Sequence, residues 1–218
     1  TSIEDLKGKA LGVTDLGGGE MPLVKAAIAG AGLSEDDVEL QAIGAGGAAA
    51  KKALENGTVA AYAGAINDFV PLEDAGLSFE QIVGDDYAGL PNDYMVIRSE
   101  LQDDQATMDQ VVSLMKGWYE GTVFGQQFPE TALERICVEV PEDCQDPAFA
   151  QGVYDASLDI SIDEAEACGA PDIPALTTVR DAIAAVDVPE AADVDPAAIF
   201  IDTYTQDMCP DQALIDQW

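Results

Sequence analysis

Three times before residue 76 the chain sets a short apolar run against a glycine-rich loop and then a helical pattern, and this cadence most limits the fold. In the first pass Ala10 to Thr14 reads as a buried strand, and Asp15 to Gly19 breaks it with three successive glycines. Pro22 suits the first turn of the helix that follows, where its missing N–H costs nothing. Leu23, Ala26, Ala27 and Gly30 recur at helical spacing, and Gly30 to Gly32 supply a stop. In the second pass Val38 to Ile43 alternates as a strand, Gly44 to Gly47 forms a loop, and Ala48 to Leu54 forms a helix closed by Asn56-Gly57. In the third, Thr58 to Ala63 is a strand, Gly64 to Asp68 a loop and Pro71 to Ala75 a helical turn. Strands alternating with helices at this spacing predict βαβ units and an α/β fold with a mostly parallel sheet.

Phe79 to Val83 approaches a further strand, and Tyr94 to Arg98 reads as a fourth clear one. The character then changes. Asp103 to Phe124 is one long helical pattern that puts Met108, Val111, Val112, Met115, Trp118 and Tyr119 on one face, read as core packing. Further helices are expected from Pro129 through Ile136, from Pro147 through Leu158, over Thr177 to Val186, and after Asp195-Pro196. Ile199 to Tyr204 is apolar but of uncertain type. The second half is thus mainly helical, with no sheet of its own.

Charge and composition narrow the function. Forty-two acidic against nine basic residues give a formal net charge of −33. Nucleic acid and anionic membrane surfaces, which need positive charge, are poor partners. An acidic surface of this density fits a saline environment, where screening is short-ranged, and equally a solubility device on an abundant exported protein. Histidine is absent, which removes the commonest general base and zinc ligand and excludes serine–histidine and cysteine–histidine nucleophiles. The four cysteines form no CxxC pair. Two disulfides, most simply Cys137–Cys144 and Cys168–Cys209, are expected, and they imply an oxidising compartment; four buried thiols in the cytosol are the alternative. No apolar run is long enough to cross a bilayer. Thr1 reads as an internal position or a processed end.

The opening SIEDLKGKALGVTDLGGGEMPLVKAAIAGAGLSEDDVEL, then AAAKKALENGTVAAYAG, then YMVIRSEL and a long helix ending near FPETALERI, resembles the substrate-binding proteins of ABC importers. The branch it is similar to serves nitrate, sulfonates, taurine and thiamine-precursor pyrimidines, and the likeness covers most of residues 2 to 136. The resemblance implies a periplasmic-binding-protein-like fold of two α/β lobes joined by crossing strands, with a small-molecule ligand in the cleft between them and no catalysis. Residues 1–98 would then form a complete second lobe. Residues 99–218 would be the mainly helical remainder of a first lobe whose N-terminal half is absent. A helical layer without its sheet exposes apolar surface, so a fragment, or a second chain supplying the missing strands, is expected. Lobe closure on the ligand and docking to a membrane permease would follow, in the periplasm or outside the cell.

Ligands of such folds sit beyond the carboxyl ends of the strands. That puts Asp15 to Glu20, Gly44 to Gly47 and Gly64 to Asp68 on one rim. Gly17, Gly18 and Gly19 can present backbone N–H groups, as can any helix N-terminus after a glycine loop. Asn67 can orient a ligand through its amide, and Asp68 can accept from a donor. Gly64 completes the candidate ligand-binding set with Asp15 and Glu20. The same opening stretch also fits a plain βα turn in which glycine only permits close packing. Relatives often carry Ser or Thr in the first loop, suited to an anionic head group. Here Asp15 and Glu20 stand beside glycines, and two carboxylates repel an anion. An amine or a neutral hydrogen-bonding ring is the favoured ligand; alternatively, Asp15 and Glu20 only complement the helix dipole. Tyr62 and Tyr87 can stack on a ligand or serve as core or surface. No catalytic residue, metal or cofactor is expected. The alternatives are a TRAP-associated solute receptor of the same fold, or an enzyme of pyrimidine-precursor synthesis, whose own histidine and cysteine cluster this chain lacks.

Overall fold

A computed structural model of the protein describes residues 2–83, 94–160, 169–186 and 188–217. The chain divides into two compact units, residues 1–91 with 173–198, and residues 92–172 with 199–218.

The first unit is built on the expected parallel sheet. Strands β1 (Lys9–Val13), β2 (Val38–Ala42) and β3 (Ala61–Ala63) lie in the order β2-β1-β3. The register pairs Val13 with Ala42 on one side and with Ala63 on the other. Central β1 is apolar throughout its second half because both its faces are covered, and Leu11, Gly12 and Val13 are all buried. Helix α1 (Met21–Gly30) packs Ile28 against Leu6, Leu11 and Val38, and Val24, Leu33, Leu40 and Ile82 close around this cluster. Helix α1 ends where Gly32 takes φ +73°. That left-handed residue lets Leu33 N–H reach Ile28 O at 3.1 Å and Gly32 N–H reach Ala29 O at 2.9 Å, a Schellman stop. Helices α2 (Ala48–Glu55) and α3 (Ile66–Asp74) end through the same pair of bonds.

Two sequence expectations fail here. Tyr94 to Arg98 forms no strand, and most of it is exposed, with Val96 83 % exposed and only Ile97 half-buried. An apolar run becomes a strand only where a neighbour accepts its ladder bonds, and no described strand does so. Phe79 to Val83 is likewise unpaired: Phe79 stacks edge-on against Phe69 at 5.1 Å, and Ile82 packs on the core. The third strand is also shorter than read, because Thr58 and Val59 donate to Ala53 O in closing α2.

Residues 173–198 group with the first unit. Helix α7 (Ile173–Val186) packs on α1, and its Arg180 donates to Val194 O at 3.1 Å. In the second unit α4 (Gln105–Gln127), α5 (Pro129–Glu139) and α6 (Pro147–Ile160) pack in sequence. Tyr154 of α6 donates to Gly125 O of α4 at 3.0 Å. The expected Cys137–Cys144 disulfide pins the end of α5 to the turn after it. The second expected pairing involves Cys168, which lies outside the described residues. Of the face assigned to the core of α4, Met108 and Tyr119 are buried, but Trp118 is not. Trp118 sits 100° round the helix from Tyr119, and the core takes only the Tyr119 side. No helix among the described residues is long and apolar enough to cross a membrane.

Candidate functional site

Because the three strands run parallel and level, the loops at their carboxyl ends leave the sheet from one edge. The loops are residues 14–20, 43–47 and 64–68, the first two each one residue longer than the sequence reading of Asp15 to Glu20 and Gly44 to Gly47. Side chains then tie the second and third loops together. Ile43 N–H continues the ladder to Val13 O at 2.9 Å. The Tyr62 hydroxyl, from the end of β3, donates to Gly44 O at 2.9 Å and accepts from Gly46 N–H at 3.3 Å. Gly46 has φ +37° and lies so close to Asp68 that a side chain there would run into the Asp68 backbone. Gly64 is hemmed in by Tyr62 and the Asp68 carboxylate in the same way.

Burial pushes the Tyr62 phenol above its ordinary value, the Gly46 N–H pulls the other way, and the carboxylates of Asp68 and Glu20 push it up further. Glu20 itself turns back on its own loop and accepts from the N–H and the hydroxyl of Thr14. Partial burial raises the Glu20 carboxyl, but the bonds from the Thr14 hydroxyl and from the N–H groups of Glu20, Thr14 and Asp15 outweigh it. They hold Glu20 below its ordinary value, as an anion. Asp68 is 4 % exposed, and its Oδ2 accepts from Ala65 N–H at 2.8 Å, capping α3.

The sequence-predicted residues therefore divide. Gly64 lies against Tyr62 and the Asp68 carboxylate, and Glu20 is held within the first loop by Thr14. Asp15 is exposed and accepts from Gly17 N–H at 2.7 Å, while Gly18 N–H goes to Asp15 O at 3.0 Å. The N–H groups of Gly17 and Gly18 are thus engaged inside their own loop. Gly19 and Asn67 are exposed at the rim. Tyr87 lies outside the described residues. Sequence reasoning missed Thr14 as the donor that orients Glu20, and of Tyr62 it offered a ring stacked on a ligand or a core or surface residue, not the hydroxyl that braces the loops. A tyrosine ending a strand between two glycine loops was the available signal.

These loops hold three carboxylates, Asp15, Glu20 and Asp68, and no lysine or arginine. Such a rim attracts a cation or a neutral donor and repels an anion. Among the described residues no cluster of three His, Cys, Asp or Glu is placed to hold a metal ion. A family model described as NMT1/THI5 like matches residues 1–132, which include all three strands and loops. Neither the curated proteins nor the solved structures yield a match to the chain.

Proposed function

The chain belongs to the NMT1/THI5-like family, and on that premise we propose that it binds a small solute and hands it to the permease of an ABC importer. The family holds both solute-binding proteins and thiamine-precursor enzymes. The binding reading is favoured because the chain has no histidine and the carboxylates at the rim are occupied in shaping loops. Delivery outside the cytoplasm accords with the Cys137–Cys144 disulfide, a bond that persists in oxidising compartments.

The solute carries an amine or is a neutral ring rich in donors. The observation that carries this is the charge of the three loops, which hold Asp15, Glu20 and Asp68 and no lysine or arginine. An anionic head group would enter against all three.

A thermal-shift screen of amines, amino-sulfonates, pyrimidines and nitrate tests the proposal. A ligand present at a hundred times its Kd stabilises the native state by about 2.7 kcal/mol, so a binder is easily seen. Stabilisation by an amine or a pyrimidine, weakened in Asp68→Asn, is expected. Stabilisation by nitrate or a sulfonate alone would overturn the assignment of ligand charge, and turnover of a bound pyrimidine precursor would overturn the binding role.

A further inference from the structure

The turn that closes α2 reads Asn56-Gly57-Thr58, an asparagine followed two residues on by a threonine with no proline between. In that order the three residues make the acceptor motif of N-linked glycosylation. The chain has two more asparagines, Asn67 and Asn92, and each is followed two places on by an aromatic residue, Phe69 and Tyr94. A motif this short arises readily by chance, and its surroundings decide what it can do. Asn56, Gly57 and Thr58 are all exposed. Neither the Asn56 side-chain amide nor the Thr58 hydroxyl is spent on a hydrogen bond among the described residues. Gly57 takes φ +65°, so the chain reverses there, and a methyl group on it meets nothing within 4 Å. The bonds that close the turn all go to the last turn of α2: Asn56 N–H to Lys52 O at 3.1 Å, Gly57 N–H to Leu54 O at 3.1 Å and Thr58 N–H to Ala53 O at 2.8 Å. The end of an eight-residue helix frays, so an enzyme can open this turn without opening the sheet.

We propose that Asn56 is an N-glycosylation site. The inference rests on the export reading above, because such sugars are added to chains that leave the cytoplasm, and the Cys137–Cys144 disulfide supports that reading. The donor is an oligosaccharide joined through phosphate to a lipid carrier. The Asn56 side-chain nitrogen forms a bond to the anomeric carbon of the first sugar, and the bond from that carbon to the phosphate oxygen breaks. The phosphate leaves on the lipid, and the amide proton passes to a base of the transferase. Thr58 supplies the hydroxyl by which the transferase holds the acceptor. Position suits the modification too. The turn leads into the amino end of β3, whereas the candidate ligand loops leave the carboxyl ends of the strands. A bulky, hydrated sugar at Asn56 therefore stands at the opposite edge of the sheet from the site, where it leaves entry of a solute clear.

Mass spectrometry of the chain isolated from its own source, with cytoplasmic and exported fractions kept apart, tests this. Trypsin leaves Asn56, Asn67 and Asn92 in one peptide, Ala53 to Arg98, so fragmentation compares the three within one molecule. Sugar on Asn56 alone, on the exported chain, is the expected result. Among variants made in the same host, Thr58→Ser keeps the sugar, and Thr58→Ala and Asn56→Gln lose it. The side chains replaced are exposed and hold no bond in the fold, so circular dichroism unchanged from the parent chain is expected of all three. A bare Asn56 on the exported chain overturns the proposal and leaves the export reading standing. Sugar that persists on Asn56 in Thr58→Ala overturns it as well. A chain found in the cytoplasmic fraction alone overturns the export reading, and the proposal with it.

Discussion

Gly46 is where the second loop touches the third, and replacing it by alanine measures that convergence. Gly44, two residues away, is the control. Both have positive φ, +80° at Gly44 and +37° at Gly46, so each alanine bears the left-handed penalty of about 1–2 kcal/mol. Around Gly44 a new methyl group meets nothing within 4 Å. At Gly46 it collides with the Asp68 backbone, which cannot swing aside as a side chain tip can. Forcing extra volume into such a contact costs about 1–3 kcal/mol, and this sum falls on Gly46→Ala alone. Hydrogen exchange of the strand amides in β1 and β2 reads the first unit separately from the second. The extra cost appears there as a further fall in protection of roughly fivefold to 150-fold. The Gly46 variant also lengthens the Tyr62 bond at 3.3 Å, so its phenol titrates differently, whereas Gly44→Ala leaves that donor in place. Equal losses in the two variants would refute the contact, and with it the claim that the loop tips share one site.

Removing the carboxylate in Asp68→Ala takes the acceptor from the Ala65 N–H at the start of α3 and costs about 1 kcal/mol, seen as faster exchange in α3. Asp68→Asn keeps an acceptor, loses less, and lowers the Tyr62 phenol by removing a neighbouring negative charge, as a spectrophotometric titration reports. Glu20 is held below its ordinary 4.5, so its stabilising effect is present above that value and is lost as pH falls through the lower folded value. Glu20→Gln should therefore flatten the acid side of the first unit's stability curve below pH 4.5, and an unchanged slope would contradict the Thr14 clasp. Replacing both Cys137 and Cys144 by serine opens a link with a sequence separation of 7, worth about 2 kcal/mol by chain entropy. Faster exchange confined to the end of α5 is the expected readout.

The parallel sheet was legible because each strand lies inside a unit that repeats its own punctuation. An apolar run, a glycine loop and a glycine-stopped helix recur, and each signal is local. What was not legible is where ladder bonds find partners. Tyr94 to Arg98 has the composition of a strand, yet it stays unpaired, with Met95 and Val96 exposed, because pairing is decided by elements distant in sequence. The same limit misplaced Trp118. The helical period groups it with Tyr119, and only the width of the covering core decides which of two adjacent residues is taken in.

The site shows the same division at finer scale. That three loops share an edge follows from strand order alone, and the sequence carried it. Which way a carboxylate turns does not. Asp15, Glu20 and Asp68 all look like groups offered to a ligand, but each first satisfies a backbone N–H: Gly17, Thr14 and Ala65 respectively. A loop that leaves a strand and enters a helix has more N–H groups than carbonyl partners, so acidic side chains are drawn to it for structural reasons. Their charge is not consumed by that service. A carboxylate that accepts two bonds keeps its full negative charge and is the harder to neutralise for it, as the depressed Glu20 shows. Loop-shaping and ligand selection are therefore not competing explanations here. The bonds that fix the loops also fix an anionic rim, and under the proposed binding role it is the sign of that rim, rather than any single hydrogen-bonding group, that selects the solute.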